Sequence, residues 1–387
     1  MLNSPCVPAA LEDHPPVLLR PSAPCRPLRV CHLSMTLKTG GLERLLVEFG
    51  RFHDPEAVRP LFVALEELGP PADDLKAQGF PVSSVNLSHV GKGGCLKRLR
   101  VLLIENQIDV LHTHNTYPHF YGALAARWAG VQTVINTQHG RGCGPGWRSR
   151  WQFRIANRLT AQIVGVSEDA RMLCQAEDPG SAFRMRTIWN GIDVDRFSYS
   201  GPRDVPTAIS VARLSPEKDY ATLFHAVQIV VRDVPEFRLK LVGDGVERPR
   251  LEKLADELGI RRHVEFLGER ADVNELLRTA GFFVSSSRTE GISLTLLEAM
   301  AVGLPIVTTR VGGNPEIVVE NQTGKLVPAQ HPQALAIAIR DLLEERALWP
   351  EYGQAARERI EQNFNARRMV QQYEQLYREF FQTRDPA

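Results

Sequence analysis

The sequence predicts an α/β protein with two doubly wound domains that face each other across a cleft. From Leu28 onward, short apolar runs alternate with amphipathic stretches of helical period, which is typical of βαβ units around a parallel sheet. Residues 198–206 interrupt this pattern with few apolar side chains and many turn formers, and a second alternation follows them. A length of 387 residues suffices for two such domains.

A Pro-rich tail, residues 1–27, precedes the first domain. It holds seven prolines and no apolar run longer than three residues, so we predict that it is disordered and lacks a secretory signal. The first domain is predicted over 28–200. Its predicted strands are 29–33, 61–65, 81–85, 109–112, 133–136 and 162–166, and its predicted helices include 42–49, 96–105 and 120–128.

The second domain is predicted over 201–363. Its predicted strands are 208–211, 238–242, 264–267, 282–285, 305–308 and 324–327, and its predicted helices include 221–232, 250–258, 294–300 and 333–344. Two further helical runs, 355–363 and 367–381, have no strand after them. We expect the C-terminal segment, 364–387, to pack back across both domains as a helix.

Composition and charge exclude several classes of function. With 46 Lys and Arg residues against 45 Asp and Glu, the chain has no overall basic excess, so it would need a strongly segregated basic face to bind nucleic acid, and we predict no such partner. The six cysteines are scattered and form no close pair, so we expect reduced thiols in a cytoplasmic protein rather than a zinc site or a disulfide framework. No run of about 18 apolar residues occurs, which limits any membrane contact to a peripheral one.

The strongest chemical signal is a glycine-containing loop that leads from a strand into a helix in the second domain. Backbone N–H groups of Gly291, Ile292 and Ser293 would point at the cleft with the positive end of the helix behind them, which predicts an anion site. Glu298, early in that helix, could accept hydrogen bonds from the vicinal hydroxyls of a ribose. Glu290 could face a sugar. The alternative is that both glutamates are solvated acids at a helix end.

Two cations follow the first strand of the same domain. Arg213 and Lys218 would lie on a βα loop at the same edge of the sheet as the glycine loop. A guanidinium and an ammonium there would stabilise the negative charge that accumulates on a diphosphate leaving group. Taken alone, a pair of this kind more often consists of ordinary surface cations.

The first domain adds two weaker signals. Gly40 and Gly41 lie between a strand and a helix, where a Gly-Gly turn lets backbone amides approach a phosphate, although most such pairs are simple turns. His112 and His114 could place two imidazoles on one strand face like a metal pair. With no third ligand in view, we predict no metal site.

In this order, the motifs resemble those of retaining glycosyltransferases of the GT-B type, that is, glycosyltransferase family 4 or glycosyl transferases group 1. The resemblance covers the chain from about Leu28 to Phe381. It rests on the Glu290 and Glu298 pair spaced eight residues apart, the segment from Arg213 to Lys218, Gly243-Asp244-Gly245, Ala-Val-Gly-Leu-Pro-Ile-Val at 301–307 and Val-Gly-Gly-Asn-Pro-Glu at 311–316.

The resemblance implies two facing Rossmann-like domains, with a nucleotide-diphosphate sugar bound mainly by the second and an acceptor mainly by the first. On matching positions, the resemblance assigns the donor phosphates to Arg213 and Lys218 and the ribose to Glu298. It assigns the donor sugar to Glu290 and to the backbone of Gly291, Ile292 and Ser293. Gly40 and Gly41 would border both the donor diphosphate and the acceptor. It also implies that His139 reaches across the cleft to the donor sugar near the reacting carbon. His139, Arg213, Lys218 and Glu290 are then the expected catalytic residues.

Residues 190–193 match the family segment that closes the first domain, which we interpret as a turn and hinge. Two positions depart from the family pattern. Trp189 stands where proline is more frequent, and Ser293 stands where proline or glycine is frequent. The second departure touches the expected donor-sugar pocket.

The resemblance implies a retaining transferase that moves a sugar from a UDP-linked donor to a hydroxyl of a glycan or lipid-linked acceptor, in polysaccharide or glycolipid synthesis at the cytoplasmic membrane face. No cofactor, metal or side-chain nucleophile is then required. A nucleotide-sugar 2-epimerase shares the fold, although the Glu290 and Glu298 arrangement argues against it. A noncatalytic sugar-nucleotide-binding or scaffold protein is the alternative from another class.

A basic segment follows His139 directly. It carries Arg141, Arg148, Arg150, Arg154 and Arg158, interleaved with Trp147, Trp151 and Phe153. The segment is either a solvated helix face or a lip for an anionic or lipid-diphosphate acceptor at a membrane, where cations and aromatic rings both favour the interface.

Overall fold

The structure is a computed structural model that describes residues 26–140, 142–144 and 146–382. Within these residues it contains two parallel sheets with helices on both faces, which confirms the predicted fold class. The predicted tail lies outside the described residues except for Arg26 and Pro27. Arg26 forms an ion pair with Asp109 at 2.8 Å.

The first sheet has seven parallel strands in the order β3-β2-β1-β4-β5-β6-β7. The strands are β1 Leu28–Ser34, β2 Val58–Ala64, β3 Val82–Ser84, β4 Val110–His114, β5 Thr133–Gln138, β6 Gln162–Gly165 and β7 Met185–Thr187. The helices between them are α1 Gly41–Phe52, α2 Pro70–Ala77, α3 Leu87–Glu105, α4 Thr116–Ala129, α5 Trp147–Arg158 and α6 Glu168–Glu177. The inner strands β4, β5 and β6 are buried along their whole length, whereas the edge strands β3 and β7 are partly exposed.

The second sheet has six parallel strands in the order β10-β9-β8-β11-β12-β13. The strands are β8 Thr207–Val211, β9 Arg238–Val242, β10 Val264–Gly268, β11 Phe282–Val284, β12 Ile306–Thr309 and β13 Gly324–Val327. The helices are α7 Tyr220–Asp233, α8 Arg248–Glu257, α9 Val273–Leu277, α10 Leu294–Val302, α11 Asn314–Ile317, α12 Pro332–Glu344, α13 Trp349–Asn363 and α14 Ala366–Gln382.

The strand orders place the functional loops. In each sheet the order reverses beside the first strand, between β1 and β4 and between β8 and β11. Doubly wound sheets bind ligands at the carboxyl ends of their strands at such switch points. The loops after β1, β8 and β11 therefore lie where a ligand is expected.

The last helix returns to the first domain, as predicted. Helix α13 packs on α10 of the second domain, whereas α14 packs on α1 and β5 of the first. The buried apolar face of α14 consists of Met369, Val370, Tyr373, Leu376 and Tyr377.

The chain crosses between the domains at two adjacent places. Ile192 donates its N–H to the Phe364 carbonyl and accepts from the Ala366 N–H, both at 2.9 Å. The approach requires glycine at 191, because a side-chain carbon built on Gly191 would lie 2.5 Å from the Asn365 carbonyl carbon. Residues 198–206 instead lie against the second domain, where Gly201 donates to Val302 at 3.1 Å. The domain limits at 200 and 363 stay predictions.

Candidate active site

A cleft of about 960 Å³ lies between the two domains. Its walls include the loops after β1 and β2, the start of α1 and the loops after β8, β9 and β11. It brings together Gly40, Gly41, Arg213, Lys218, Glu290, Ile292, Ser293 and Glu298, which the sequence marks as donor-site residues. The two halves of the predicted site thus face one cavity, although Gly291 and His139 do not line it.

The glycine loop before α10 contacts both domains closely. A side-chain carbon built on Gly291 would lie 2.3 Å from the His139 carbonyl oxygen, so only glycine fits there. The Gly291 carbonyl accepts from the Gly313 N–H at 2.9 Å. The loop is therefore held from both sides, and Ser293 opens α10 toward the cleft without a side-chain cap.

Lys218 and Glu290 form an ion pair at the cleft. The Lys218 Nζ lies 2.6 Å from the Glu290 Oε1, which also accepts from the Ser287 hydroxyl at 2.6 Å. Both side chains are largely shielded from solvent. Arg213 is exposed on the same wall. Glu290 and Lys218 are thus not solvated surface charges, which removes the alternative interpretation for these two residues.

Glu298 is a buried carboxylate with spare acceptor capacity. Its side chain is 7% exposed, and burial raises its pKa to about 7. The Arg44 Nη1 of the first domain lies 3.5 Å from the Glu298 Oε1 and opposes that rise. The Glu298 Oε2 has no hydrogen-bond partner among the residues that the structure describes. The interpretation of Glu298 as a solvated helix-end acid is therefore wrong.

Two protein-family models match adjoining parts of the chain. The model described as Glycosyltransferase Family 4 matches residues 39–196, and that described as Glycosyl transferases group 1 matches residues 192–359. The chain belongs to this family of glycosyltransferases.

The glycosyltransferase is similar to relatives along most of its length. It is 24% identical over 376 residues to UDP-Gal:alpha-D-GlcNAc-diphosphoundecaprenol alpha-1,3-galactosyltransferase of Escherichia coli, with 90% of this chain and 96% of that protein covered. It is 29% identical over 355 residues to GDP-mannose-dependent alpha-(1-6)-phosphatidylinositol monomannoside mannosyltransferase of Mycobacterium tuberculosis, with 83% of this chain and 90% of that protein covered. The solved structure of Anabaena Alr3699/HepE in complex with UDP matches at a TM-score of 0.80 and 22% identity, with 91% of this chain and 100% of that chain covered. This match confirms the GT-B fold.

In this glycosyltransferase, His139 lies beside the cleft wall. Its Nε2 is 3.0 Å from the His114 Nδ1, and its backbone N–H donates to the Asn115 Oδ1 at 2.9 Å. Burial lowers the pKa of His139 to about 3, so the imidazole is neutral at physiological pH. Contact of this ring with the donor sugar stays a prediction.

His32 of β1 joins the two histidines of β4. Side-chain nitrogens of His32, His112 and His114 lie within 4.8 Å of one another, so a third imidazole is present that the sequence does not reveal. Nothing in the sequence singles out His32, because it lies inside an apolar strand. We retain the prediction of no metal, since both ring nitrogens of His112 have hydroxyl partners, Tyr377 at 2.7 Å and Thr137 at 2.8 Å.

Glu316 joins the two domains in a contact that the sequence does not predict. Its carboxylate accepts from the Glu168 and Asp169 N–H groups at the start of α6, at 2.8 and 3.0 Å. It also accepts from the Trp189 Nε1 at 2.8 Å. We call Glu316, Trp189 and the start of α6 the interdomain clasp. Its sequence signal is the departure at Trp189, whose indole supplies a donor that proline lacks.

Most of the basic segment forms α5, and its aromatic side chains differ in their exposure to solvent. Trp147 and Trp151 are 70% and 55% exposed, and the Arg148 guanidinium lies over the Trp147 ring. Phe153 is fully buried in the first domain, so it does not belong to the exposed face. Arg141 lies outside the described residues. None of the helices in the described ranges is long and apolar enough to cross a membrane.

The cysteines that the structure describes are unpaired thiols. Cys31, Cys95, Cys143 and Cys174 are all free and buried. Burial raises the pKa of the Cys95 thiol to about 11 and that of the Cys174 thiol to about 12, so neither is a reactive thiolate. Cys6 and Cys25 lie outside the described residues.

Proposed function

We propose that this protein transfers a sugar from a nucleoside-diphosphate sugar to a hydroxyl group with retention of the anomeric configuration. The observation that carries the proposal is the cleft itself, in which an exposed Arg213, the Lys218 and Glu290 ion pair and the buried Glu298 carboxylate face the Gly40 loop of the other domain. Cationic groups suit a diphosphate, and a carboxylate with a free oxygen suits ribose hydroxyls.

In the proposed reaction, the bond between the anomeric carbon and the diphosphate oxygen breaks while a bond to the acceptor oxygen forms on the same face. The acceptor proton passes to the leaving phosphate oxygen. Arg213 and Lys218 stabilise the charge that develops on the diphosphate. Lys218 remains close to Glu290, which holds that carboxylate toward the sugar. No side-chain nucleophile takes part, and we expect turnover without a divalent metal.

We expect a uridine-linked donor and a glycan or lipid-linked acceptor. The Escherichia coli relative is named for UDP-Gal and a diphosphoundecaprenol acceptor, and the mycobacterial relative for GDP-mannose and a phosphatidylinositol monomannoside. Both names support a donor with a nucleoside diphosphate and an acceptor on a lipid. The proposed setting is polysaccharide or glycolipid synthesis at the inner membrane face.

A thermal-shift screen against UDP- and GDP-sugars tests the donor site. A ligand at 100 times its Kd stabilises the native state by about 2.7 kcal/mol. We expect one donor to raise the Tm of the wild type and of the control Glu320→Gln, whose carboxylate is exposed on the second domain, but not of Glu298→Gln. Equal shifts in all three proteins would contradict the role of Glu298.

Transfer to candidate acceptors tests the chemistry. The anomeric configuration of the product, measured by NMR, should match that of the donor, and a chelator should leave the rate unchanged. Lys218→Ala should lower kcat about 100-fold, because one charge-stabilising donor is lost. An inverted product would refute retention. Hydrolysis or epimerisation of the donor without acceptor use would favour the epimerase interpretation.

We also propose that α5 contacts anionic membrane through its exposed tryptophans and arginines. Flotation with vesicles that contain anionic lipid should recover the wild type and the control Val246→Ser, which removes an exposed apolar side chain of the second domain. The double variant Trp147→Ser, Trp151→Ser should float less, since interfacial rings contribute to peripheral binding. A wild type that stays wholly unbound would refute the proposal.

A further inference from the structure

Three histidines of the first domain form one line of hydrogen-bonded imidazoles. The His32 Nδ1 lies 3.2 Å from the His114 Nε2, and the His114 Nδ1 lies 3.0 Å from the His139 Nε2. We propose that His114 and His32 are positioning residues that set the ring orientation and the tautomer of His139 for the sugar donor. The proposal rests on the proposed function, because it requires His139 to face that donor.

The line couples the tautomers of its three members. A neutral imidazole has one N–H and one acceptor nitrogen, and each hydrogen bond between two rings needs one of each. The N–H groups must therefore all point the same way along the line. Burial keeps the pKa of His32 and of His139 near 3, so both rings carry a single proton at physiological pH. The tautomer of His139 is then tied to that of His32.

The end of the line at His139 has an open position. The His139 Nδ1 is buried and has no hydrogen-bond partner within the described part of the chain. Leaving such an atom unpaired is costly, so a ligand that supplies a partner gains affinity. The His139 carbonyl touches Gly291 of the glycine loop, which places this end beside the predicted sugar site. A sugar hydroxyl is the partner we assign to the Nδ1.

The other end of the line is held by packing. The His32 ring is 2% exposed, stacks on Phe62 with 5.1 Å between ring centroids and tilts against Phe49 at 4.7 Å. This environment separates two roles of His32. Phenylalanine would keep the ring packing and remove the hydrogen bond, whereas asparagine would keep a polar atom near the position of the Nδ1 and lose the ring.

Transfer kinetics of the pair His32→Phe and His32→Asn distinguish these roles. We expect His32→Phe to lower kcat about tenfold with little change in the donor KM, and His32→Asn to recover most of that loss. His114→Asn keeps a polar atom near the position of the Nδ1 that bonds His139. Its kcat should therefore be higher than that of His114→Gln. If His32 had a purely structural role, His32→Phe would have a higher kcat than His32→Asn, because phenylalanine keeps the ring packing. That result would overturn the proposal.

His119→Phe is the matched control. His119 is also fully buried, bonds the Thr160 hydroxyl at 2.7 Å through its Nε2 and packs edge-on against Phe153, but it lies outside the line. It should leave kcat unchanged. The Tm of every variant is measured beside its rate, and if one His32 variant does not fold, the two His114 variants still decide the outcome.

Nitrogen-15 NMR of the histidine rings tests the line without any transfer reaction. His139, assigned by comparison with His139→Gln, should show a single tautomer in the wild type and a mixture in His32→Phe. If the wild type shows this but transfers no sugar, the proposed function fails while the coupling stands. An unchanged His139 tautomer in His32→Phe would overturn the proposal, as would stoichiometric metal in the purified protein that is lost in His32→Phe.

Discussion

At the scale of single residues, Glu298 combines burial with an incomplete set of partners. Its desolvation favours the protonated form, the guanidiniums of Arg44 and Arg196 favour the charged form, and nearby Glu48 opposes ionisation. The balance leaves a carboxyl group that titrates near neutral pH. The ionisation of Glu298 therefore affects both the stability of the protein and the charge of the proposed ribose site.

Replacing Glu298 by glutamine should stabilise the unliganded protein at alkaline pH. The pKa of Glu298 is about 7 in the folded protein against 4.5 in the unfolded chain, so the native state loses stability as pH rises from about 4.5 through 7. Glutamine has no charge to bury. At pH 8 the free energy of unfolding of Glu298→Gln should exceed that of the wild type by up to roughly 3 kcal/mol, and its Tm should be higher. At pH 5 the two proteins should have similar Tm values.

Glu320→Gln is the control for this comparison. Its carboxylate is exposed and pairs with Arg310 at the surface, so its Tm should follow the wild type at both pH values. A difference between Glu298→Gln and the wild type that stays the same at pH 5 and pH 8 would show that Glu298 does not titrate in this range.

The residue types of the cleft were largely predictable, but their partners were not. Lys218 and Glu290 each follow a strand of the same sheet, so their common edge follows from the pattern, whereas their 2.6 Å ion pair depends on how two loops fold. Arg44 has no motif that separates it from a surface cation on α1. His32 lies within an apolar run, where a buried imidazole gives no periodic signal.

At the scale of secondary-structure elements, the interdomain clasp caps one domain's helix with the other domain's side chain. Helix α6 already has its own N-cap, because the Ser167 Oγ accepts from the Ala170 N–H at 3.0 Å. Glu316 satisfies two more N–H groups at the same helix end, where negative charge is favoured. The position of the domains thus depends in part on these few hydrogen bonds.

Removing the clasp should destabilise the protein modestly. Glu316→Ala uncovers two N–H groups of α6 and should lower the free energy of unfolding by about 1 kcal/mol. Trp189→Phe keeps a ring against Phe364, removes the indole donor and should cost about 1 kcal/mol. Urea denaturation measures both. Glu320→Gln, which changes an exposed glutamate near Glu316 but keeps an acceptor oxygen for the Leu326 N–H, should stay within about 0.5 kcal/mol of the wild type. A similar loss in all three variants would argue against the clasp.

Every predicted strand is present, and the misses have local causes. Strand β7 has three residues, and helices α9 and α11 have five and four, so each is too short to show a periodic pattern. Neither α2 nor α6 is among the predicted helices. Helix α3 begins nine residues before the predicted 96–105, because three glycines obscure the helical pattern at its start. One of them, Gly91, lies at a kink with φ of 67°.

At the scale of the whole molecule, α14 connects the end of the second domain to the core of the first. Its Tyr377 hydroxyl bonds His112 at 2.7 Å, and its Tyr373 hydroxyl lies 3.0 Å from that of Thr137. Amphipathic periodicity predicts this helix but not the face that receives it. The receiving surface is built from strands more than 200 residues earlier in the chain.

Substitution within α14 should separate buried from exposed positions. Leu376→Ala truncates a residue that is 1% exposed and should lower the free energy of unfolding by about 2–5 kcal/mol, because it leaves a cavity. Gln371→Ala, on the exposed face of the same helix, should change it by less than about 0.5 kcal/mol. Chemical denaturation compares the two. Equal stability of the two variants would show that α14 is not part of the first domain's core.

The side-by-side crossings at Ile192 and at residues 364–366 make the first domain discontinuous along the chain. The second domain is an insertion between its last strand and its last helix. During synthesis, the sheet of the first domain leaves the ribosome long before α14, so its apolar surface around Tyr373 and Tyr377 stays uncovered until the second domain has been made. Domains usually fold as units in the order of synthesis. Here the domain that begins first is completed last, and a nascent chain is most exposed to aggregation in that interval.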